Sequence, residues 1–246
     1  MRAIVLGAGK GTRLQSENND APKVLRKANG RPLIGYVLDA LSFIPQENIC
    51  IVVGYKKEMV KETIQGNYMY AIQDKQLGTG HAVMMAESYF KEYDGPVLIA
   101  YGDMPLYTQK TYQTLIKKHI ESGAKCTVLT AVDENPPAYG RIIRDDKGQL
   151  IGIVETKDCT PEQLKIKELN IGVYVFDSKS LFENLSLLKN DNAQKEYYLT
   201  DIPKILLEHG EKIHTYTIHN TDEIYGVNTT EDLAFCERVL KERMND

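Results

Sequence analysis

The sequence predicts an α/β fold, a mixed and mostly parallel sheet with helices on both sides. Three observations predict it. Short apolar runs alternate with amphipathic stretches through residue 132. Two of the runs end in glycine-bearing loops, residues 7–13 and Gly102-Asp103, at the carboxyl ends where parallel sheets collect ligands. From residue 133 the rhythm changes to a hairpin and shorter helices, with no repeat, low-complexity tract or linker.

The first strand, over residues 3–6, is carried by Ile4, Val5 and Leu6. It runs into Gly7-Ala8-Gly9-Lys10-Gly11-Thr12-Arg13, where glycines let backbone N–H groups converge and Lys10 and Arg13 add positive charge. The loop is therefore expected to hold an anion. Helices are expected over 33–43, 57–65, 79–91 and 109–122, each with apolar residues at three- and four-residue steps, and strands over 49–53, 68–73, 97–101 and 126–132. In the helix over 109–122, Leu115, Ile116 and His119 share a face while Lys117 and Lys118 point away. Gly102-Asp103 follows the run VLIAY, at a strand's carboxyl end. Further on, 141–144 and 150–155 flank the turn sequence Asp145-Asp146-Lys147-Gly148. A strand over 172–176, helices over 178–185 and 199–209, a strand over 212–218 and a terminal helix over 230–244 complete the chain.

The bulk numbers narrow the class. At 246 residues the chain is one large domain with ample length for a core. Its net charge of −4 argues against a nucleic-acid binder with a broad basic face. Cys50, Cys126, Cys159 and Cys236 lie far apart, without C-x-x-C pairs or matching histidines, so neither a zinc site nor a disulfide frame is expected. No apolar run approaches the ~20 residues of a membrane span, and the opening one is too short for a signal peptide. A cytoplasmic protein is expected.

Two readings of the opening loop fail. A dinucleotide fingerprint needs a third glycine where Thr12 stands, and an acidic residue where Gly54, Tyr55 and Lys56 end the second strand. A P-loop needs an earlier glycine, and Gly9-Lys10 is followed by Gly11 rather than Ser or Thr.

The motifs instead resemble those of the uridylyltransferase domain of the bacterial bifunctional enzymes that make UDP-N-acetylglucosamine. Leu6-Gly7-Ala8-Gly9-Lys10-Gly11-Thr12-Arg13 and Pro22-Lys23-Val24-Leu25 match the opening motif. QLGTGHAV at 76–83, YGDMPL at 101–106, YGRI at 139–142 and NAQKEYYLTDI at 192–202 follow in order, with Gly226-Val227-Asn228 near the end. The resemblance implies a Rossmann-like nucleotidyltransferase fold in a single domain, 1–246. Residues 1–132 would form a nucleotide-binding half, 133–228 a sugar-binding half, and 229–246 a C-terminal helix. It implies transfer of UMP from UTP to N-acetylglucosamine 1-phosphate with release of pyrophosphate, assisted by magnesium.

The resemblance also implies roles. Arg13 and Lys23 would be catalytic. Leu6, Gly7, Ala8, Gly9, Gly11, Gln73, Gly78 and Thr79 would bind the nucleotide. Tyr101, Gly102, Gly140, Glu155 and Asn170 would bind the sugar, and Asp103 with Asn228 would hold Mg2+. Such chemistry needs no triad or general base, because the sugar phosphate is already a nucleophile; it needs alignment and neutralised charge. Structural alternatives remain open for several of these residues. Arg13 and Lys23 could be solvated, Asp103 could cap a turn, Asn228 could cap the last helix, and Thr79 could cap the helix it opens.

The sequence departs from the family pattern in four places. Gly7 stands for alanine, the stretch QSENNDA lengthens the tether to Lys23, Ile171 replaces threonine, and Lys195 replaces glycine. The β-helix domain that carries acetyl transfer and builds the family's trimer does not follow, so a monomer without acetyl transfer is expected. Two other functions compete: a sibling transferase using another nucleotide, sugar phosphate or phosphocholine, and a non-catalytic nucleotide-sugar sensor. The sensor would be expected to lack Lys23, Asp103 or Asn228, and all three are present.

Overall fold

Along β1 (Arg2–Gly7) successive side chains enter different cores: Ala3 and Val5 join one apolar cluster, Ile4 and Leu6 another. A strand buried on both faces needs cover from both sides, and the amphipathic segments supply it. In the computed structural model, which describes residues 1–11 and 21–244, ten more strands follow β1. They are β2 (Lys27–Ala28), β3 (Arg31–Pro32), β4 (Ile49–Val53), β5 (Met69–Ile72), β6 (Pro96–Tyr101), β7 (Cys126–Val132), β8 (Gly140–Arg144), β9 (Leu150–Val154), β10 (Glu168–Asp177) and β11 (Ile213–Ile218). The α-helices are α1 (Leu33–Ala40), α2 (Lys57–Thr63), α3 (Thr79–Met85), α4 (Gln109–Ser122), α5 (Ser178–Leu185), α6 (Ile202–Glu208) and α7 (Thr230–Arg243).

The central sheet has the order β11-β7-β10-β6-β1-β4-β5. β6, β1, β4 and β5 are parallel, and β11 is parallel to β7. β10 lies antiparallel between β6 and β7, so along this path it alone opposes the others. The β8–β9 hairpin branches from β10. Ile34, Val37 and Leu38 of α1, Val60 of α2 and Leu115 of α4 cover one face. Ala82 and Val83 of α3, Leu181 and Leu185 of α5, and Leu206 of α6 cover the other. α7 packs through Cys236, Val239 and Leu240 onto Ala28, Leu33 and Leu106 as a third, smaller cluster.

Three elements differ most from the sequence reading. The helix expected over 79–91 stops at Met85, and a 3-10 turn at Glu87–Tyr89 follows. The helix expected over 199–209 likewise opens as a 3-10 turn, Leu199–Asp201, before α6. The strand expected over 172–176 is much longer, because an irregularity between Asn170 and Tyr174 breaks the period-two pattern without ending the strand. The β2–β3 hairpin was not expected, although Asn29-Gly30, both with positive φ, is the strongest short hairpin signal there is. No described helix is long and apolar enough to cross a membrane.

Candidate active site

The parallel strands β1, β4, β5 and β6 deliver their carboxyl ends to one edge of the sheet, and the glycine loop leaves from β1 there. Gly54 shows how closely the loops converge. A Cβ on it would lie 2.7 Å from the carbonyl of Gln73, 2.8 Å from Gln76 Nε2 and 2.9 Å from the carbonyl of Ala8. The result is a cavity of about 400 Å³ lined by the glycine loop, Lys23, Gln73, Thr79, Asp103 and Asn228 among others.

Lys23 opens a 3-10 turn whose Val24 and Leu25 are buried in the core, which leaves the lysine to face the cavity. Gly11, at φ +69°, packs on its stem: a Cβ there would stand 2.6 Å from Lys23 Cβ. The ammonium pairs with the Asp103 carboxylate and donates to Asn228 Oδ1 at 2.8 Å. One backbone bond ties the segments that carry these acceptors, and a bond to a side-chain hydroxyl anchors the residue beside it. The carbonyl of Asp103 accepts from Val227 N at 3.0 Å, and Gly226 N donates to the Tyr139 hydroxyl at 2.9 Å.

Neither acceptor is a capping residue. Thr229 caps α7 in a reciprocal box with Asp232, and Asp103 turns its carboxylate to Lys23. Asp103 and Asn228 thus present hard oxygens to one cation. Among the described residues there is no group of three or more His, Cys, Asp and Glu able to hold a metal. A pair of protein oxygens completed by phosphate and water is what magnesium accepts, and the donor set fits it.

On the opposite wall, Gln73 is 3% exposed. Its Nε2 donates to the carbonyl of Gly78 at 3.0 Å and lies 3.0 Å from His81 Nδ1. Burial lowers the His81 pKa, which favours a neutral ring whose Nδ1 accepts. Both amide hydrogens are then used, and the described residues give Oε1 no partner. Gly78, at φ +109°, is the N-cap of α3 and Thr79 its first residue, so Thr79 is not the cap. Its hydroxyl instead accepts from Leu199 N at 3.0 Å.

The same stretch is sewn to the block at 192–202. Tyr197 N donates to the Leu77 carbonyl at 2.8 Å, and Gly80 N to the Tyr197 carbonyl at 2.8 Å. A Cβ on Gly78 would come within 2.5 Å of that same carbonyl. Residues distant in sequence therefore form one wall.

The remaining expected residues gather beyond Tyr101. Gly140 pairs with Asn170 across β8 and β10, and Glu155 follows β9. The buried Tyr174 hydroxyl donates to Asn170 Oδ1 at 2.9 Å, which leaves the Asn170 amide group to donate. Thr200 Oγ1 donates to Glu155 at 3.1 Å, while burial raises the Glu155 pKa. Gly172, at φ +77°, lets the Tyr101 ring lie against β10.

Leu6, Gly7, Ala8, Gly9, Gly11, Lys23, Gln73, Gly78, Thr79, Tyr101, Asp103 and Asn228 thus line one cavity. Gly102, Gly140, Glu155 and Asn170 are not among its lining residues, and Arg13 lies outside the described residues. Gln76 and Glu196 also line the cavity and were missed, although both stand within motifs quoted above.

Two departures are local. Ile171 is 2% exposed and faces the core, away from Asn170. Lys195 is held at φ +58°, and its pair with Asp191 at 3.8 Å is solvent-exposed. The left-handed cost of about 1–2 kcal/mol exceeds the roughly 0.5–1 kcal/mol entropy penalty of glycine. Lys195→Gly is therefore expected to raise stability by up to about 1 kcal/mol, read as a higher urea midpoint.

Comparisons with known proteins identify the family. The family described as nucleotidyl transferase matches residues 2–223. The bifunctional protein GlmU of Carboxydothermus hydrogenoformans is 48% identical over 234 residues, covering 95% of this chain and 51% of the relative. That of Clostridium novyi is 46% identical over 245 residues, covering 99% and 53%. The chain therefore spans about half the length of these curated relatives. A crystal structure from Bacillus anthracis, assigned as a glucose-1-phosphate thymidylyltransferase and solved with sucrose, aligns with a TM-score of 0.75 at 21% identity. It covers 97% of this chain and 94% of its own, a likeness of fold. With the matched family spanning every strand of the sheet and every cavity-lining residue except Asn228, the chain belongs to the nucleotidyl transferase family and is a nucleotidyltransferase.

Proposed function

We propose that this nucleotidyltransferase moves UMP from UTP to N-acetylglucosamine 1-phosphate. The observation that carries the reading is the meeting of Lys23, Asp103 and Asn228 in one cavity with the glycine loop and Gln73. The uracil lies against Gln73 and Gly78, whose internal bond leaves Gln73 Oε1 to accept from a ring N–H. The triphosphate tail lies along the amides of residues 7–11, with Arg13 assigned beside it on the family resemblance. The sugar lies beyond Tyr101 and Gly102, with Gly140, Glu155 and Asn170 as its contacts. The chain works as one domain, with 1–132 on the nucleotide side, 133–228 on the sugar side and the C-terminal segment 229–246, through Asp232 of α7, bracing Asn228. It acts in the cytoplasm on UTP and a sugar 1-phosphate, without nucleic acid or membrane.

In the transfer, a phosphate oxygen of the sugar phosphate bonds to the α-phosphorus and the bond to the leaving pyrophosphate breaks, with no proton abstraction needed. Lys23 sets a compact positive charge where negative charge builds. Asp103 and Asn228 would hold Mg2+, which when bound supplies charge neutralisation to the phosphates.

A pyrophosphate-release assay over a matrix of nucleoside triphosphates and sugar phosphates tests the reading. UTP with N-acetylglucosamine 1-phosphate is expected to dominate; a stronger reaction with another pair would overturn the substrate assignment. Gly11→Ala, which drives a methyl group into Lys23 Cβ, is expected to lower kcat roughly 100-fold by displacing that lysine. A circular dichroism spectrum should meanwhile stay unchanged.

A further inference from the structure

We propose that Lys23 is the placeholder for the divalent cation, filling its position until nucleotide and metal arrive together. The inference rests on the assignment of Asp103 and Asn228 as metal ligands and goes one step beyond it.

The two oxygens expected to face a metal are both engaged by a single ammonium, the Lys23 head. The pair is sheltered, with Lys23 15% and Asp103 19% exposed at the side chain. An ammonium and a divalent ion cannot share one pair of oxygens there, because like charges at contact distance repel strongly where solvent screening is weak. One must leave for the other to enter.

The lysine is built to leave. Its Cβ is held against Gly11, so its base is fixed while the flexible outer stem can swing. The cavity open to that swing is lined by Gly9 and Gly11, where the polyphosphate would lie. A nucleotide thus offers Lys23 a new anionic partner at the moment it brings the metal to Asp103 and Asn228. Metal and nucleotide then strengthen each other's binding by the same factor, and Lys23 is the coupling element. Without nucleotide, the metal meets a site that is competent only in the fraction of molecules whose lysine has swung away.

Binding of Mn2+ to the full chain, read by the electron paramagnetic resonance signal of the free ion, tests this without turnover. In the absence of nucleotide, Lys23→Met is expected to bind Mn2+ roughly tenfold more tightly than the wild type. Lys23→Gln should do the same, and the double variant Lys23→Met/Asp103→Asn should lose the gain. Lys10→Met, which removes a charge that sits over the Tyr55 ring while leaving Asp103 and Asn228 paired to Lys23, should stay within about twofold of wild type.

With UTP present the advantage of Lys23→Met should vanish. A Lys23→Met variant no tighter than wild type, or a Lys10→Met variant that gains as much, overturns the placeholder even if Asp103→Asn weakens Mn2+ binding beside UTP. If Asp103→Asn leaves Mn2+ binding beside UTP unchanged, the metal assignment itself falls, and the placeholder with it.

Discussion

Asp103→Ala is expected to cut turnover roughly 1,000-fold, the upper range for removing one preorganised electrostatic contact at a reacting phosphate. The carboxylate meets Lys23, and through Lys23 it shares a cation with Asn228. Its backbone, not its side chain, holds the neighbouring loop, because the Asp103 carbonyl accepts from Val227 N. The alanine variant therefore keeps its fold, and its thermal midpoint should stay within a few degrees of wild type, about 1 kcal/mol. Pyrophosphate release at saturating substrates and Mg2+ measures the loss. Near-normal turnover in a folded variant would remove Asp103 from the metal site.

Lys23→Ala is expected to lower kcat about 100-fold or more while changing the KM for UTP less than roughly fivefold. The reason is where its charge is needed. In the free chain the ammonium is already satisfied by Asp103 and Asn228, so exchanging those partners for substrate phosphate gains little in the ground state. The gain comes when negative charge grows on the α-phosphate and the departing pyrophosphate. Steady-state kinetics separates the cases. A variant with raised KM and intact kcat would show instead that Lys23 binds the ground state.

The alternation of buried strands and amphipathic helices was legible because each core strand is buried on both faces and each helix on one, so periodicity alone separates them. Asp103 was legible for a physical reason as well: it follows VLIAY at the end of a parallel strand. Other features were not. Nothing local marks the bond from Tyr197 to Leu77, because its two ends are joined only by the fold. Gln76 and Glu196 read as ordinary polar residues until the loops that carry them face one another across the cavity. Gly11 was legible as a glycine of the anion-binding loop, but not as the residue that leaves room for Lys23 Cβ, a requirement set by a side chain further along the chain. The short hairpin at Asn29-Gly30 was legible and overlooked.

The position of β10 governs how the chain can assemble. β6 and β7 are separated in sequence by α4 alone, yet they are bridged in space by a strand that ends at Asp177. Until that segment leaves the ribosome, β6 and β7 each present an unpaired edge of the kind that recruits other chains. A polypeptide truncated before residue 168 would carry an open seam through its middle, and the nascent protein depends on the synthesis of β10 to close it.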